Sequence, residues 1–212
     1  MVKKLSLFVA GLLLLSICTF SHTSPHGKNL SIHIKKGINI NDLAGSTEFK
    51  NRTGKEIRPG DIILVYGSTW IDQVIKKIIR SDYTHVAGVV KSNEVIDILP
   101  FTQAGYKNLR LFAGKADVFT CDTLTDDQRR KIVDYVNRKV GTSYNYWLVV
   151  WEGCRYLLNW QWPYKTGKSG LCSTLWADAY REAGVDLCPE AIFPSPRDLA
   201  DSRLLRKVCG LK

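Results

Sequence analysis

After a short apolar block from Leu5 to Leu15, the chain shows no sustained hydrophobic period until about residue 57. The polar stretch from Thr19 to about Thr53, rich in Ser, His, Asn, Gly and Lys, reads as a tether, with a short strand conceivable around Ser31 to Ile34. Order is predicted from residue 54 onward, to residue 212. Near Ile57 the segment Arg58-Pro59-Gly60 supplies a turn before the run Asp61-Ile62-Ile63-Leu64-Val65-Tyr66, which predicts a buried strand.

The period then changes. Trp70, Ile71, Val74, Ile75, Ile78 and Ile79 fall at the spacing of an amphipathic helix, with Thr69 placed to cap it, Asp72 in its first turn and Lys76, Lys77 and Arg80 at its end. Two short β-like segments follow, His85 to Val90 and Glu94 to Ile98, and the polar Lys91-Ser92-Asn93 between them predicts a hairpin. Ala116 to Cys121 predicts another strand. Thr125-Asp126-Asp127-Gln128 matches a capping box, and Ile132, Val133, Val136 and Val140 mark one face of the helix behind it, stopped by Gly141. Tyr144 to Trp162 is apolar and aromatic and predicts a helix running into a loop. Cys172 to Ala183 carries Trp176, Ala179, Tyr180 and Ala183 at helical spacing before Gly184, which puts Cys172 in a first turn.

Composition narrows the setting. At 212 residues and 45% hydrophobic content the chain suits one core, and strands mixed with helices give an α+β class. Lys3 and Lys4 ahead of the apolar block predict a signal peptide over residues 1–18, since a transmembrane helix needs about 20 apolar residues. Leu15-Ser16-Ile17-Cys18 resembles a lipobox, making Cys18 a lipidation candidate, against ordinary cleavage near Ser21 or Thr23. The formal charge is +10, of which Lys3 and Lys4 supply two, leaving +8 on the mature part. An exported protein so charged is drawn to anionic surfaces of the cell envelope, as a lipoprotein or a secreted protein. Scattered Lys and Arg give no nucleic-acid motif. Thr166-Gly167-Lys168-Ser169 imitates the end of a P-loop, but Trp162 stands where the first glycine belongs. The six cysteines, at 18, 121, 154, 172, 188 and 209, form no C-x-x-C pair, so neither zinc nor any other metal or cofactor is expected. Cys121, Cys154, Cys188 and Cys209 could pair in three ways, leaving Cys172 single if Cys18 is lipidated.

A thiol attacks as its thiolate, which a helix N-terminus and a nearby imidazolium favour. Cys172 has the first condition, with Ser169 and Gly170 available to turn the chain into the helix and free its first N–H groups. Read locally, it is equally a buried apolar residue or half of a disulfide. Of four histidines only His85 lies in the predicted folded part, and in an apolar strand it is a core residue or a base. Asp97, inside Val95-Ile96-Asp97-Ile98-Leu99, could orient an imidazole or face solvent. A hairpin centred on Ser92 puts His85 opposite Leu99 and makes Asp97 its diagonal neighbour on one face. A half-residue shift would separate them.

Five pieces in order carry a resemblance: Gly60-Asp61-Ile62-Ile63, Tyr83-Thr84-His85-Val86-Ala87, Val95-Ile96-Asp97-Ile98, Gly141-Thr142-Ser143-Tyr144, and Leu171-Cys172-Ser173-Thr174 with the helix behind it. Together they resemble the circularly permuted papain-like enzymes of the YaeF/YiiX type, a branch of the NlpC-type superfamily that also contains lecithin:retinol acyltransferase. The resemblance implies a small antiparallel sheet packed against helices, with Cys172 as nucleophile, His85 as base and Asp97 as the third member, where the family often has Glu. It places Tyr83 and Tyr144 near the cleft. It implies a thiol amidase or peptidase acting on cell-wall peptides. A lipid ester or amide hydrolase or acyltransferase, and a non-catalytic envelope-binding module, are the alternatives. No cofactor is implied.

Overall fold

The structure, a computed structural model, describes residues 49–50, 56–99, 102–143 and 171–211. The leader with Cys18, the tether except Phe49 and Lys50, which form a strand, Tyr144 with its aromatic segment, Cys154, and the Ser169-Gly170 turn lie outside the described residues.

Strands β1 (Phe49–Lys50) and β2 (Glu56–Ile57) pair with each other. The main sheet is built around β3 (Ile62–Tyr66). Its order is β6-β5-β4-β3-β7-β8 with every pair antiparallel, where β4 is Tyr83–Lys91, β5 Glu94–Asp97, β6 Gly105–Asn108, β7 Ala116–Thr120 and β8 Arg206–Gly210. The continuous apolar run of β3 follows from its central place, because both of its faces are covered. Ile62 and Leu64 join a core with Trp176, Tyr180, Ile132 and Leu199. Ile63 and Val65 join a second cluster with Val118, Val208, Leu109 and Phe112. The fold is thus α+β.

The α-helices among the described residues are α1 (Trp70–Ile79), α2 (Asp126–Arg138), α3 (Cys172–Glu182) and the short α4 (Pro196–Ala200). The capping box predicted for α2, Thr125 with Gln128, is present, and at α1 the predicted cap Thr69 forms one as well, with Asp72. Helix α2 stops at Arg138, two residues earlier than the period suggests, so Val140 is exposed and the buried face is Arg129, Ile132, Val133 and Val136. The presence of Arg129 on that face has a cause in the strand opposite. Its guanidinium reaches Asp61 Oδ1 at 2.9 Å, the Pro59 carbonyl at 2.8 Å and Thr120 Oγ1 at 3.2 Å, while Thr120 donates to Asp61 at 2.7 Å. Tyr180 of α3 donates to the Gly60 carbonyl at 2.6 Å, so the Pro59-Gly60-Asp61 turn anchors two helices to the sheet. No helix among the described residues is long and apolar enough to cross a membrane.

Candidate active site

The β4–β5 hairpin fixes the first two residues of the site. Its turn is Ser92-Asn93, and the register pairs Ala87 with Asp97, Gly88 with Ile96 and Val89 with Val95. That is the alignment centred on Ser92, which makes His85 and Asp97 diagonal neighbours on one side of the sheet. Their side chains meet, with His85 Nε2 2.5 Å from Asp97 Oδ1. Asp97 is 2% exposed, so the outward, solvated placement does not occur.

Helix α3 brings the third residue. Cys172 is its first residue, and the N-cap position is held by Leu171, which offers no side-chain cap. The N-cap is thus Leu171, and the Ser169-Gly170 turn before it lies outside the described residues. An apolar N-cap has no oxygen with which to occupy the first-turn N–H groups. The Leu171 N–H is itself held by Thr174 Oγ1 at 2.9 Å, and Cys172 is a buried free thiol beside His85. Since Asp97 occupies Nε2, Nδ1 is the ring nitrogen left for the sulfur.

The electrostatics follow from that contact. Burial opposes charge on the ring, but the charge of the Cys172 sulfur and the hydrogen bond to Asp97 outweigh it, and His85 is raised to about 10. Burial likewise works to raise Asp97, and is overcome by the His85 hydrogen bond together with Lys107, which hold the carboxyl below its usual range. The arrangement is one imidazole shared by a sulfur and a carboxylate whose second oxygen meets the Lys107 ammonium.

Neighbouring contacts hold the strand that carries His85. Thr84, the residue before it, donates to Asp72 Oδ1 at 3.1 Å, tying α1 to β4. Gly67 permits this approach, for a Cβ there would stand 2.2 Å from the Asp72 Cβ and 2.3 Å from Thr84 Oγ1. Tyr83 turns to a different cluster. Its hydroxyl donates to Asp117 Oδ2 at 2.6 Å, its ring stacks on Tyr66 at 5.0 Å, and Tyr66 and Lys207 also bind that Asp117 oxygen. Its hydroxyl is thus engaged by Asp117, while its ring packs against the core that includes Cys172.

Two residues escaped sequence reasoning. Asp117 sits in a run read simply as a strand, and its partners come from β3, β4 and β8. Lys107 lies in β6, a short strand without a clear apolar period. Of the cysteines considered for pairing, Cys121 is also a free thiol, 3.3 Å from Thr123 Oγ1.

Neither a family model nor a curated protein matches the sequence. A match in fold comes from a solved structure, described as the metalloprotein yiiX from Escherichia coli O157:H7, DUF1105. It is similar to this chain with a TM-score of 0.54 at 17% identity, over 73% of this chain and 97% of that one. The two proteins share an α+β fold of the YiiX type. As to a metal, no group of three His, Cys, Asp or Glu among the described residues is arranged to hold one. The Asp97 carboxylate meets an ammonium, Lys107, where a metal ion would need a free oxygen.

Proposed function

We propose that this chain is a thiol-dependent hydrolase of amide bonds in cell-wall peptides, built as a circularly permuted papain-like enzyme in which His85 and Asp97 precede Cys172. The observation that carries the reading is the single imidazole held between Asp97 and the Cys172 sulfur. The YiiX-type fold is compatible with a hydrolase.

The Cys172 thiolate attacks the substrate carbonyl carbon, and the carbonyl electron pair moves onto oxygen. The uncapped first turn of α3 offers N–H groups for that oxyanion. Collapse of the intermediate breaks the C–N bond while the His85 imidazolium gives its proton to the departing amine. A water then loses a proton to His85 and attacks the thioester, releasing the acid and restoring the thiolate–imidazolium pair. Asp97 keeps the ring oriented and charged when it must be.

The basic, exported character read from the leader and the charge puts this chemistry at the cell envelope, with Cys18 as the residue to lipidate. A second reading has a specific observation behind it. Trp70 is 71% exposed at the start of α1, the helix that also carries Lys76 and Lys77 and is tied to β4 next to His85. An exposed aromatic residue at one end of a helix with ammonium groups at the other suits an anionic lipid surface, and with it a lipid ester or amide substrate.

The test is turnover by the purified protein against muropeptides and against phospholipid vesicles, with Cys172→Ala as control. Release of amine from muropeptides that disappears in Cys172→Ala is expected. Turnover of phospholipid alone selects the second reading, and turnover that survives Cys172→Ala ends the thiol mechanism. A non-catalytic module would leave Cys172 unlabelled by an active-site thiol probe.

A further inference from the structure

Three adjacent strands place three charged residues in one diagonal row. Across β4 and β5, Ala87 faces Asp97, and His85 is two residues along. Across β5 and β6, Asp97 faces Gly105 and Val95 faces Lys107, so Lys107 is also two residues from the position opposite Asp97. The alternation of a strand puts His85, Asp97 and Lys107 on the same side. Gly105, directly across from Asp97, carries no side chain to obstruct the reach of Lys107. The result is a carboxylate gripped at both oxygens: His85 Nε2 lies 2.5 Å from Oδ1 and Lys107 Nζ 2.8 Å from Oδ2.

We propose that Lys107 is a positioning residue of the site, sharing the charge of Asp97 and so setting, through that carboxylate, how tightly His85 holds its proton. This rests on the reading of Cys172, His85 and Asp97 as the active site. Orientation of Asp97 needs little help from Lys107, because the hairpin register already aims it at His85. What Lys107 adds is positive charge. In a buried setting an unshared carboxylate would draw the whole imidazolium proton toward itself, leaving a ring too basic to protonate a departing amine readily. An ammonium on the second oxygen reduces that pull. The titratable groups bearing on the ring are accordingly Cys172 from α3, Asp97 from β5 and, through Asp97, Lys107 from β6.

A merely structural role is the competing account, since a lysine on an edge strand also discourages edge-to-edge pairing. The two accounts differ in what they do to His85. The experiment is the NMR titration of the His85 imidazole in a Cys172→Ala background, where the thiolate no longer contributes. Lys107→Met is expected to raise the His85 pKa by about one unit. Lys107→Gln, which keeps a hydrogen-bond donor but no charge, is expected to do the same, and Lys107→Arg to restore the parent value. A His85 pKa that is unchanged or lowered in both Met and Gln variants overturns the proposal. If Lys107→Met does not fold, Lys107→Gln alone decides. Asp97→Asn read in the same way separates the two levels of the argument. If it leaves His85 unchanged, the site reading fails and the role of Lys107 with it; a fall there, with no rise in the Lys107 variants, removes Lys107 alone.

Discussion

Gly88 lies so close to the Trp176 indole that a Cβ on residue 88 would come within 2.4 Å of the ring. This contact sets α3 against β4. From Gly88 back to His85 is three residues of strand, about 10 Å, and from Trp176 back to Cys172 is about one turn of helix. Helix and strand therefore run from one shared contact toward the site.

Gly88→Ala tests that relationship. The added methyl must push the indole and α3 away, since Ile62 and Ile96 flank the glycine on the neighbouring strands. A loss of roughly 1–3 kcal/mol is expected from overpacking. Urea unfolding reads the loss, and iodoacetamide labelling of Cys172 should slow in the folded variant because the sulfur moves relative to His85.

How far the sequence displays this architecture differs between centre and edge. Central elements are legible because burial imposes a pattern: β3 is an unbroken apolar run, and α1 and α2 announce themselves by period and cap. Strands β6 and β8 carry no such signal. Gly105-Tyr106-Lys107-Asn108 and Arg206-Lys207-Val208-Cys209-Gly210 are the two edges of the sheet, where one side of the backbone has no partner strand among the described residues and lysine is favoured. Helix α4 did carry a signal, Ser195-Pro196-Arg197-Asp198, a capping box with proline at its first position. For the site, His85 and Asp97 are readable as a pair through hairpin register, which is local. Lys107 is not, because its partner is fixed by a strand pairing that the period of β6 does not reveal.

The buried ion pair should dominate single-site stability. Arg129 and Asp61 are almost wholly shielded, with side chains 6% and 1% exposed, and each has further hydrogen bonds. Removing one partner strands the other charge in the core. Asp61→Ala and Arg129→Met are each expected to cost about 3–5 kcal/mol, and the double variant less than their sum. Chemical denaturation of the three variants gives the coupling.

The His85–Asp97 pair predicts a pH window for stability. His85 is raised in the folded state, to about 10, above its ordinary value of 6.5. Its contribution is therefore fully present below pH 6.5 and lost as pH rises through about 10. Asp97 is lowered, so its contribution is present above the ordinary carboxylate range and lost as pH falls through the folded value. Unfolding free energies of the wild type minus those of His85→Gln, followed from neutral to alkaline pH, should shrink over that window. A difference that stays flat would show that the pair is not ionised.

Asp117 offers the last test, because it separates the tyrosines near the site from the site itself. One buried carboxylate oxygen takes hydrogen bonds from Tyr83 at 2.6 Å and from Tyr66, and pairs with Lys207 at 2.6 Å. Burial and the Asp117 hydrogen bond both hold the Tyr83 phenol above its ordinary value, while burial works to raise Asp117 and is overcome by its hydrogen bonds to Lys207, Tyr66 and Tyr83. Asp117→Asn keeps the shape and removes the charge, so the Tyr83 phenol should titrate at lower pH and stability should fall by roughly 1–3 kcal/mol. Ultraviolet titration, with Tyr83→Phe to assign the signal, measures the first effect. Tyr83→Phe should also weaken the fold while preserving labelling of Cys172, since the Tyr83 hydroxyl binds Asp117 rather than His85. Loss of labelling in a folded Tyr83→Phe protein would instead make that phenol part of the active site.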